Sequence, residues 1–321
     1  MREDVRRWFD QRTSRATDWQ ASRLVDVKAD TRVSVVLPAL NEEATVGPIV
    51  AAIRRRLVER HGLVDELIVM DSGSTDGTYD AAVEAGAKVV RREEVLSDVE
   101  PLPGKGEVLW RSLAATTGDV LVFVDSDLRD FTTSFVTGLL GPLLTTGHAF
   151  SKGCYQRPLL TEHGVSPDGG GRVTELVARP LLNMHWPQLA GFVQPLSGEY
   201  AARRGLLEQL PFPIGYGVEI GILVDALRLV GLDGLAQVDL SRRKHRNQEI
   251  GKLGRMSSEI LQVALERLRR EGRVDMATAP ATELVQFERS EDEYVVHCLD
   301  MAPRERPPVN TLPEYRARMA G

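Results

Sequence analysis

The first regular feature of the chain is the nearly unbroken apolar run Val33–Leu37 (VSVVL), which meets a proline at Pro38. A run of that length without alternation predicts a strand buried on both faces. Behind it Val46, Ile49, Val50, Ile53 and Leu57 recur at helical spacing, with Arg54–Arg56 on the polar side. The alternation repeats: a strand over Glu66–Met70, the polar stretch DSGSTDGT, a helical AAVEAGA and a short strand around Lys88–Val90. A loop with Pro101, Pro103 and Gly104 precedes a helix from Lys105 to about Thr116, and the strand Val120–Val124 runs into Asp125-Ser126-Asp127. Buried strands separated by helices imply parallel pairing through right-handed crossovers. Ligands of such sheets bind beyond the carboxyl ends of the strands. PALNEE, DSGSTD and DSD each follow a strand, so all three are expected to line one crevice.

The pattern is less regular at the two ends. Residues 1–30 are charge-rich with apolar Val5, Trp8 and Phe9, and predict an amphipathic arm packed on the body or on a second subunit. Beyond residue 150 come a glycine run (Gly169–Gly171), a helix over Arg172–Met184, then QPLSGEY, GYGVE and RRKHRNQ, and an amphipathic helix over roughly Ser257–Arg270. The last fifty residues, rich in Pro, Arg and Glu, predict a partly ordered tail. Composition adds limits rather than chemistry. With 321 residues, 42% apolar and 27% charged, the chain suits a large folded core. A net charge of −6 gives no indication of nucleic-acid binding, so any anionic ligand needs a local cluster of cations and amides. Two cysteines, no secretory signal and no apolar stretch near the ~20 residues of a membrane span predict a cytoplasmic protein without a membrane partner.

Several polar clusters are open to both a chemical and a plain reading. Asp125 and Asp127, one residue apart after a buried strand, suit Mg²⁺ or Mn²⁺ shared with a diphosphate, though an Asp-capped turn has the same sequence. In PALNEE, Asn41 or Glu42 caps the next helix, or the loop and Glu42 contact a base and ribose. Asp71 ends the second strand, where nucleotide-binding α/β folds hold a ribose or base, but it too can cap. A Walker A loop and a G-x-G-x-x-G fingerprint are both absent, which argues against P-loop hydrolysis and dinucleotide-dependent redox chemistry. Lys105 at a helix start opposes the helix dipole, and either faces an anionic ligand or is simply solvated. Three glycines before Arg172 and Thr174 expose amides for a phosphate or carboxylate, or simply form a linker. His245 lies among Arg242, Arg243, Lys244 and Arg246, a diphosphate-binding loop or a solvated basic face. Glu219 in Tyr216–Glu219 accepts from sugar hydroxyls, acts as a catalytic carboxylate, or complements a helix dipole.

Taken in order, strand–PALNEE–helix, strand–DSGSTD and strand–DSD resemble the nucleotide-sugar half of GT-A glycosyltransferases. More narrowly, PALNEEATV, VDELIVMDSGSTD, PGKGEVLWRSLAAT, GGGRVTELVARPLL, QPLSGEYA, GYGVEIG and HRN resemble the glucosyl- and mannosyl-3-phosphoglycerate synthase family over roughly residues 30–250. The resemblance implies an α/β, Rossmann-like GT-A fold with a mostly parallel central sheet, helices on both faces and a C-terminal acceptor-binding part. It divides the chain into an arm (1–30), a nucleotide-sugar half (31–150), an acceptor half (151–275) and a tail (276–321). It also implies a homodimer that moves a hexose, with retention and with Mg²⁺ or Mn²⁺, to the 2-hydroxyl of 3-phosphoglycerate, in polymethylated polysaccharide or compatible-solute synthesis. UDP-glucose is the preferred donor, with GDP-glucose and GDP-mannose left open.

Carried over by motif, Pro38, Ala39, Leu40, Asn41, Glu42, Ser72, Lys105, Asp125 and Ser126 bind the nucleotide sugar. Asp127 and His245 ligate the metal. Gly171, Arg172, Val173, Thr174 and Asn247 hold phosphoglycerate. Tyr216, Gly217, Val218 and Glu219 line the sugar pocket, and Arg243, Lys244, Arg246 and Gln248 the diphosphate. Gln248 departs from the arginine expected after HRN. Lys105 and Glu219 are the candidate catalytic groups: the lysine supports the departing diphosphate, and Glu219 is a candidate nucleophile beside the favoured front-face attack. A lipid-phosphate transferase of the same fold lacks an anchor here, a nucleotidyltransferase lacks its glycine-rich loop, and an inactive nucleotide-sugar sensor has no use for both metal and acceptor motifs.

Overall fold

The buried strands assemble into one sheet of eight. The computed structural model describes residues 1–156, 159–161, 164–166, 171–242, 249–275, 278–290 and 293–320, with backbone alone at 159–161, 164–166, 242 and 320. The strands are β1 (Thr13–Arg15), β2 (Val33–Ala39), β3 (Glu66–Asp71), β4 (Lys88–Arg91), β5 (Val120–Phe123), β6 (Phe150–Gln156), β9 (Tyr200–Arg203) and β11 (Leu235–Arg242). Their spatial order is β1-β11-β6-β9-β5-β2-β3-β4, and only β9 runs antiparallel to its neighbours. Three small ladders lie outside it: β7 (Leu159–Thr161) with β8 (Gly164–Ser166), β10 (Phe212–Pro213) with β14 (Glu305–Arg306), and the hairpin β12 (Glu283–Ser290) with β13 (Glu293–Asp300). The helices are α1 (Glu3–Arg12), α2 (Ala21–Lys28), α3 (Glu43–Ile53), α4 (Thr78–Glu84), α5 (Lys105–Ala115), α6 (Ser134–Thr145), α7 (Arg179–His185), α8 (Arg204–Leu207), α9 (Val218–Val230), α10 (Ile250–Arg270) and α11 (Pro313–Ala320).

Alternate residues of each central strand enter two separate cores, as doubly covered strands require. Val33, Val35 and Leu37 pack with Ile49, Ile53 and Leu139 on one face. Val36, Leu121 and Phe123 pack with Trp110, Leu113 and Leu223 on the other. Strand β2 does not stop before its proline but continues through Pro38 to Ala39, opposite Asp71. Pro38 shares the parity of Val36, so its missing N–H points toward β5, whose ladder with β2 ends at Phe123. On that side the Pro38 carbonyl accepts the Ser126 hydroxyl at 2.6 Å.

The N-terminal arm packs on its own body. The Trp8 ring packs at a tilt against Phe192, centroids 4.6 Å apart, and donates its indole N–H to the Leu235 carbonyl at 2.8 Å, and β1 joins the sheet beside β11. Within its polar composition the end of the chain carries a few deep anchors. Tyr315 is 2% exposed and donates to Glu208 at 2.6 Å, Val309 is fully buried, and the Trp110 indole donates to the Pro307 carbonyl at 2.8 Å. The predicted helix over Arg172–Met184 opens with a wide π-type turn at Thr174–Ala178 before α7, and α10 begins at Ile250, seven residues earlier than its apolar period suggests.

Candidate active site

Two groups of residues meet at the carboxyl edge of the sheet, and they are built differently. The first joins the loops after β2 and β3. Asn41 adopts a left-handed φ of +58°, a conformation asparagine tolerates better than most residues, and this turns the chain sharply out of β2. The Asn41 amide donates to Ser74 Oγ at 3.0 Å, its own Oδ1 accepts the Thr75 amide at 2.8 Å, and the Glu42 amide donates to Thr78 Oγ1 at 2.7 Å. The Ser72 amide donates to the Ala39 carbonyl at 2.9 Å. Asp71 is buried and accepts the Ser74 amide at 3.1 Å, so in this structure it shapes the turn. Asn41 thus serves the neighbouring loop rather than capping α3. Leu40 stands exposed at the rim.

The second group is charged. Lys105 opens α5, and its ammonium lies 2.6 Å from Asp125 Oδ1 and 2.9 Å from Glu219 Oε1. Burial by itself would depress this lysine, but the two carboxylates outweigh it and hold the ammonium well above its ordinary range. The anion facing the badly placed helix-start cation is therefore the protein's own pair of carboxylates. Glycines on both sides of Lys105 make the approach possible. Gly104 has φ +135°, and the Gly106 amide donates to the Ile214 carbonyl at 2.7 Å. A Cβ on Gly106 would stand 1.8 Å from the Pro213 carbonyl oxygen. The start of α5 is thereby pressed against the segment that leads into α9 and Glu219. A Cβ on Gly198 would lie 2.3 Å from Asp125 Oδ2 and 2.5 Å from Lys105 Nζ, so the backbone of 198 closes this cluster from another side.

The remaining predicted residues are placed with varying directness. Ser126 is buried and bonded to Pro38, while Asp127 is exposed two residues beyond Asp125. Tyr216 is exposed, and Gly217 precedes α9. Val218 and Val173 are core side chains, which leaves their backbone alone for a ligand. Gly171 takes φ +81° before Arg172 and Thr174. Thr174 is 1% exposed, and its hydroxyl has no hydrogen-bond partner among the described residues. Arg243, Lys244, His245, Arg246, Asn247 and Gln248 lie outside the described residues. Among the described residues no three His, Cys, Asp or Glu side chains gather as a metal cage. Sequence reasoning missed Lys152, Gly198, Glu199 and Tyr200. The available signals were a lysine inside the buried strand FSKGCYQ and the unassigned motif QPLSGEY.

A mostly parallel sheet, two interlocked loops beyond its first strands and a carboxylate–lysine cluster beside an Asp-x-Asp turn define a nucleotide-sugar glycosyltransferase of the GT-A type. Comparisons agree. The "Glycosyl transferase family 2" model matches residues 34–159. The glucosyl-3-phosphoglycerate synthase of Mycolicibacterium smegmatis is 51% identical over 307 residues, covering 95% of this chain and 98% of that one. The synthase of the same name from Petrotoga mobilis is 43% identical over 294 residues, covering 91% and 90%. Among solved structures, mannosyl-3-phosphoglycerate synthase from Rubrobacter xylanophilus superposes with a TM-score of 0.88 at 38% identity, covering 95% of this chain and 99% of that one. Glucosyl-3-phosphoglycerate synthase from Mycobacterium tuberculosis, in complex with Mn²⁺, UDP and phosphoglyceric acid, gives 0.80 at 48% identity, covering 91% and 95%. The chain belongs to the glucosyl-3-phosphoglycerate synthase family.

Proposed function

We propose that the chain transfers glucose from UDP-glucose to the 2-hydroxyl of 3-phosphoglycerate, with retention and with Mg²⁺ or Mn²⁺ present. The observation that carries this reading is the 51% identity to a glucosyl-3-phosphoglycerate synthase along nearly the whole of both chains. The tuberculosis enzyme has been crystallised with Mn²⁺, UDP-glucose and phosphoglyceric acid, and with UDP and glucosyl-3-phosphoglycerate. The mannosyl relative from Rubrobacter xylanophilus matches more closely in backbone but less in sequence.

In this reading the interlocked loops at Pro38–Glu42 and Ser72 take the nucleoside. Asp125 and Ser126 reach the donor, and Tyr216–Glu219 border the sugar. Asp127 offers an exposed oxygen ligand of the kind that suits Mg²⁺ or Mn²⁺, and with His245 it would hold the ion, which when bound neutralises charge on the departing diphosphate. Lys105 keeps its proton and stabilises the same developing charge through a rigid, half-buried ammonium. Glu219 is 7% exposed and already committed to Lys105, so it orients the sugar and the lysine, and attack from the leaving-group side needs no protein nucleophile. Arg172, the Gly171 backbone and the Thr174 hydroxyl, which has no partner among the described residues, take the phosphate and carboxylate of the acceptor, joined by Asn247. Arg243, Lys244, Arg246 and Gln248 complete the diphosphate side.

We further propose a homodimer formed through the β12–β13 hairpin. The ribbon is tied to α10 where Gln286 donates to the Gly251 carbonyl, yet it exposes Phe287, Tyr294, Val295 and Val296, which suits cover by a second copy. The apolar face of α10 is used internally, through Ile260, Val263, Ala264 and Leu268. Among the described residues no helix is long and apolar enough to cross a membrane. The two free thiols, Cys154 and Cys298, fit a reducing cytoplasm.

The test is a transfer assay with Mg²⁺ and 3-phosphoglycerate, offering UDP-glucose, GDP-glucose and GDP-mannose separately. Turnover with UDP-glucose is expected. Turnover with GDP-mannose alone would move the chain to the mannosyl branch, and metal-dependent donor binding without turnover would reject the acceptor.

A further inference from the structure

The motif QPLSGEY borders the Lys105–Asp125–Glu219 cluster on its inner side, and behind it lies a lysine that the reaction scheme does not use. Lys152 is 1% exposed in the middle of β6, paired with Tyr200 of β9 on one edge and Gln237 of β11 on the other. Its ammonium donates to the Ser197 carbonyl at 2.9 Å and lies 5.2 Å from the centre of the Tyr200 ring. The next residue in the chain is Gly198, the glycine packed against Asp125 and Lys105. Ser197 Oγ donates to the fully buried Glu199 at 3.0 Å, and the Glu199 carbonyl accepts the Gly153 amide at 2.8 Å, so the turn is tied to β6 at two places. The Tyr200 hydroxyl is buried without a hydrogen-bond partner among the described residues. A full cation inside a sheet is expensive to desolvate, and its removal would be easy for a purely structural strand.

We infer that Lys152 is a positioning residue for sugar transfer: its buried ammonium anchors the Ser197 carbonyl so that Gly198 abuts Asp125 and Lys105, and its charge offsets that of Glu219. The inference rests on the proposed transfer reaction for its kinetic readout, but not for its binding readout. The groups facing Lys152 are Glu219 from α9, Lys105 from α5, Asp125 beyond β5, Glu199 and Tyr200 at the start of β9, and neutral Gln237 from β11. Burial pushes the Lys152 ammonium down to about 8, Lys105 adds to that effect, and Glu219, Glu199 and Asp125 oppose it. Burial, reinforced by Glu219, keeps the Tyr200 hydroxyl protonated throughout. Because the folded value lies below the ordinary 10.5, the unfolded chain binds more protons between about pH 8 and 10.5, and this group's contribution to stability rises with pH there. At pH 7 a charged Lys152 therefore weakens the fold relative to an unbranched apolar side chain. A residue that lowers stability while bordering the site is the expected signature of a functional role.

The experiment is Lys152→Met, which keeps length and volume, compared with the wild-type chain. We expect a melting temperature at pH 7 equal to or above wild type, kcat down at least about tenfold, and UDP-glucose affinity weakened about tenfold, with UDP affinity within about twofold, both measured calorimetrically with Mn²⁺. The wild-type kcat is expected to fall as pH rises through about 8, a limb that Lys152→Met lacks. Wild-type kcat and UDP-glucose affinity in the variant, or an unchanged alkaline limb, would overturn the inference. If the variant melts lower or does not fold, the wild-type profile decides: a level kcat from pH 7 to 9 overturns the inference, and a fall supports it. A wild-type chain inactive on all donors would defeat the proposed reaction, while the comparison of UDP with UDP-glucose binding would still test Lys152.

Discussion

The two sides of the crevice solve the same problem by different means. On the side proposed to take the nucleotide, loops after neighbouring strands grip each other through short backbone-centred hydrogen bonds, Asn41 to Ser74 and Thr75, Glu42 to Thr78, Ser72 to Ala39. On the side proposed to take the sugar, Lys105, Asp125 and Glu219 come from three separate parts of the chain and meet because glycines allow α5 to press on the segment before α9 and the 198 backbone to close over them. One side is rigid through local bonding and presents shape. The other is preorganised charge, where a low local dielectric makes each group worth more and each loss more costly. The difference predicts that damage on the charge side falls mainly on turnover and damage on the nucleotide side mainly on affinity.

The largest effect should come from the metal. Asp127→Ala is expected to lower transfer by at least about 1000-fold, since a divalent ion supplies several kcal/mol of charge stabilisation. Calorimetry should show UDP-glucose binding that no longer responds to Mn²⁺. Full activity in this variant would remove Asp127 from the charge side altogether. Next in size is Glu219→Gln, which keeps the shape of the side chain but breaks the ion pair with Lys105. A loss in kcat of about 100-fold is expected, with UDP affinity unchanged. If UDP affinity fell in parallel, the two sides would be one unit and the division would be broken.

How far the sequence reveals each side follows from the same physics. The apolar runs specify β2, β3 and β5 closely, because strands buried on both faces tolerate few polar positions. The nucleotide-side loops are legible as well: PALNEE and DSGSTD follow directly from strands that pair in register, Ala39 opposite Asp71. The PGKGE glycines hint at a close approach around Lys105, but nothing local says that Glu219 is the partner. Lys152 and Glu199 are harder still, since their meaning arises only when β6 and β9 become neighbours. The polar C-terminal fifty residues suggest only partial order because Val309, Tyr315 and the Pro307 carbonyl that accepts the Trp110 indole are a handful of anchors in an otherwise wet segment. Composition averages over such anchors, and packing does not.

Smaller effects sharpen the comparison at its borders. Arg172→Ala removes a charge-assisted hydrogen bond worth about 1.5–3 kcal/mol, so the KM for 3-phosphoglycerate should rise roughly 10- to 100-fold in steady-state assays while UDP-glucose affinity holds. A fall in donor affinity instead would assign the turn at Gly171–Thr174 to the donor.

The smallest effect is expected at Asn41, where two substitutions separate bonding from backbone shape. Asn41→Gly keeps access to the left-handed φ but loses the bond from the Thr75 amide, a change of about 1 kcal/mol and roughly fivefold in UDP affinity. Asn41→Ala loses the same bond and adds about 1 kcal/mol of backbone strain, so affinity should fall further, to about 30-fold. Neither should change kcat at saturating donor, because Lys105, Asp125 and Glu219 are held by α5, α9 and the 198 backbone and not by this loop. A kcat that drops with the Ala variant but not the Gly variant would show that strain in the nucleotide loop reaches the charged cluster, through the bond from Ser126 to the Pro38 carbonyl that joins the two.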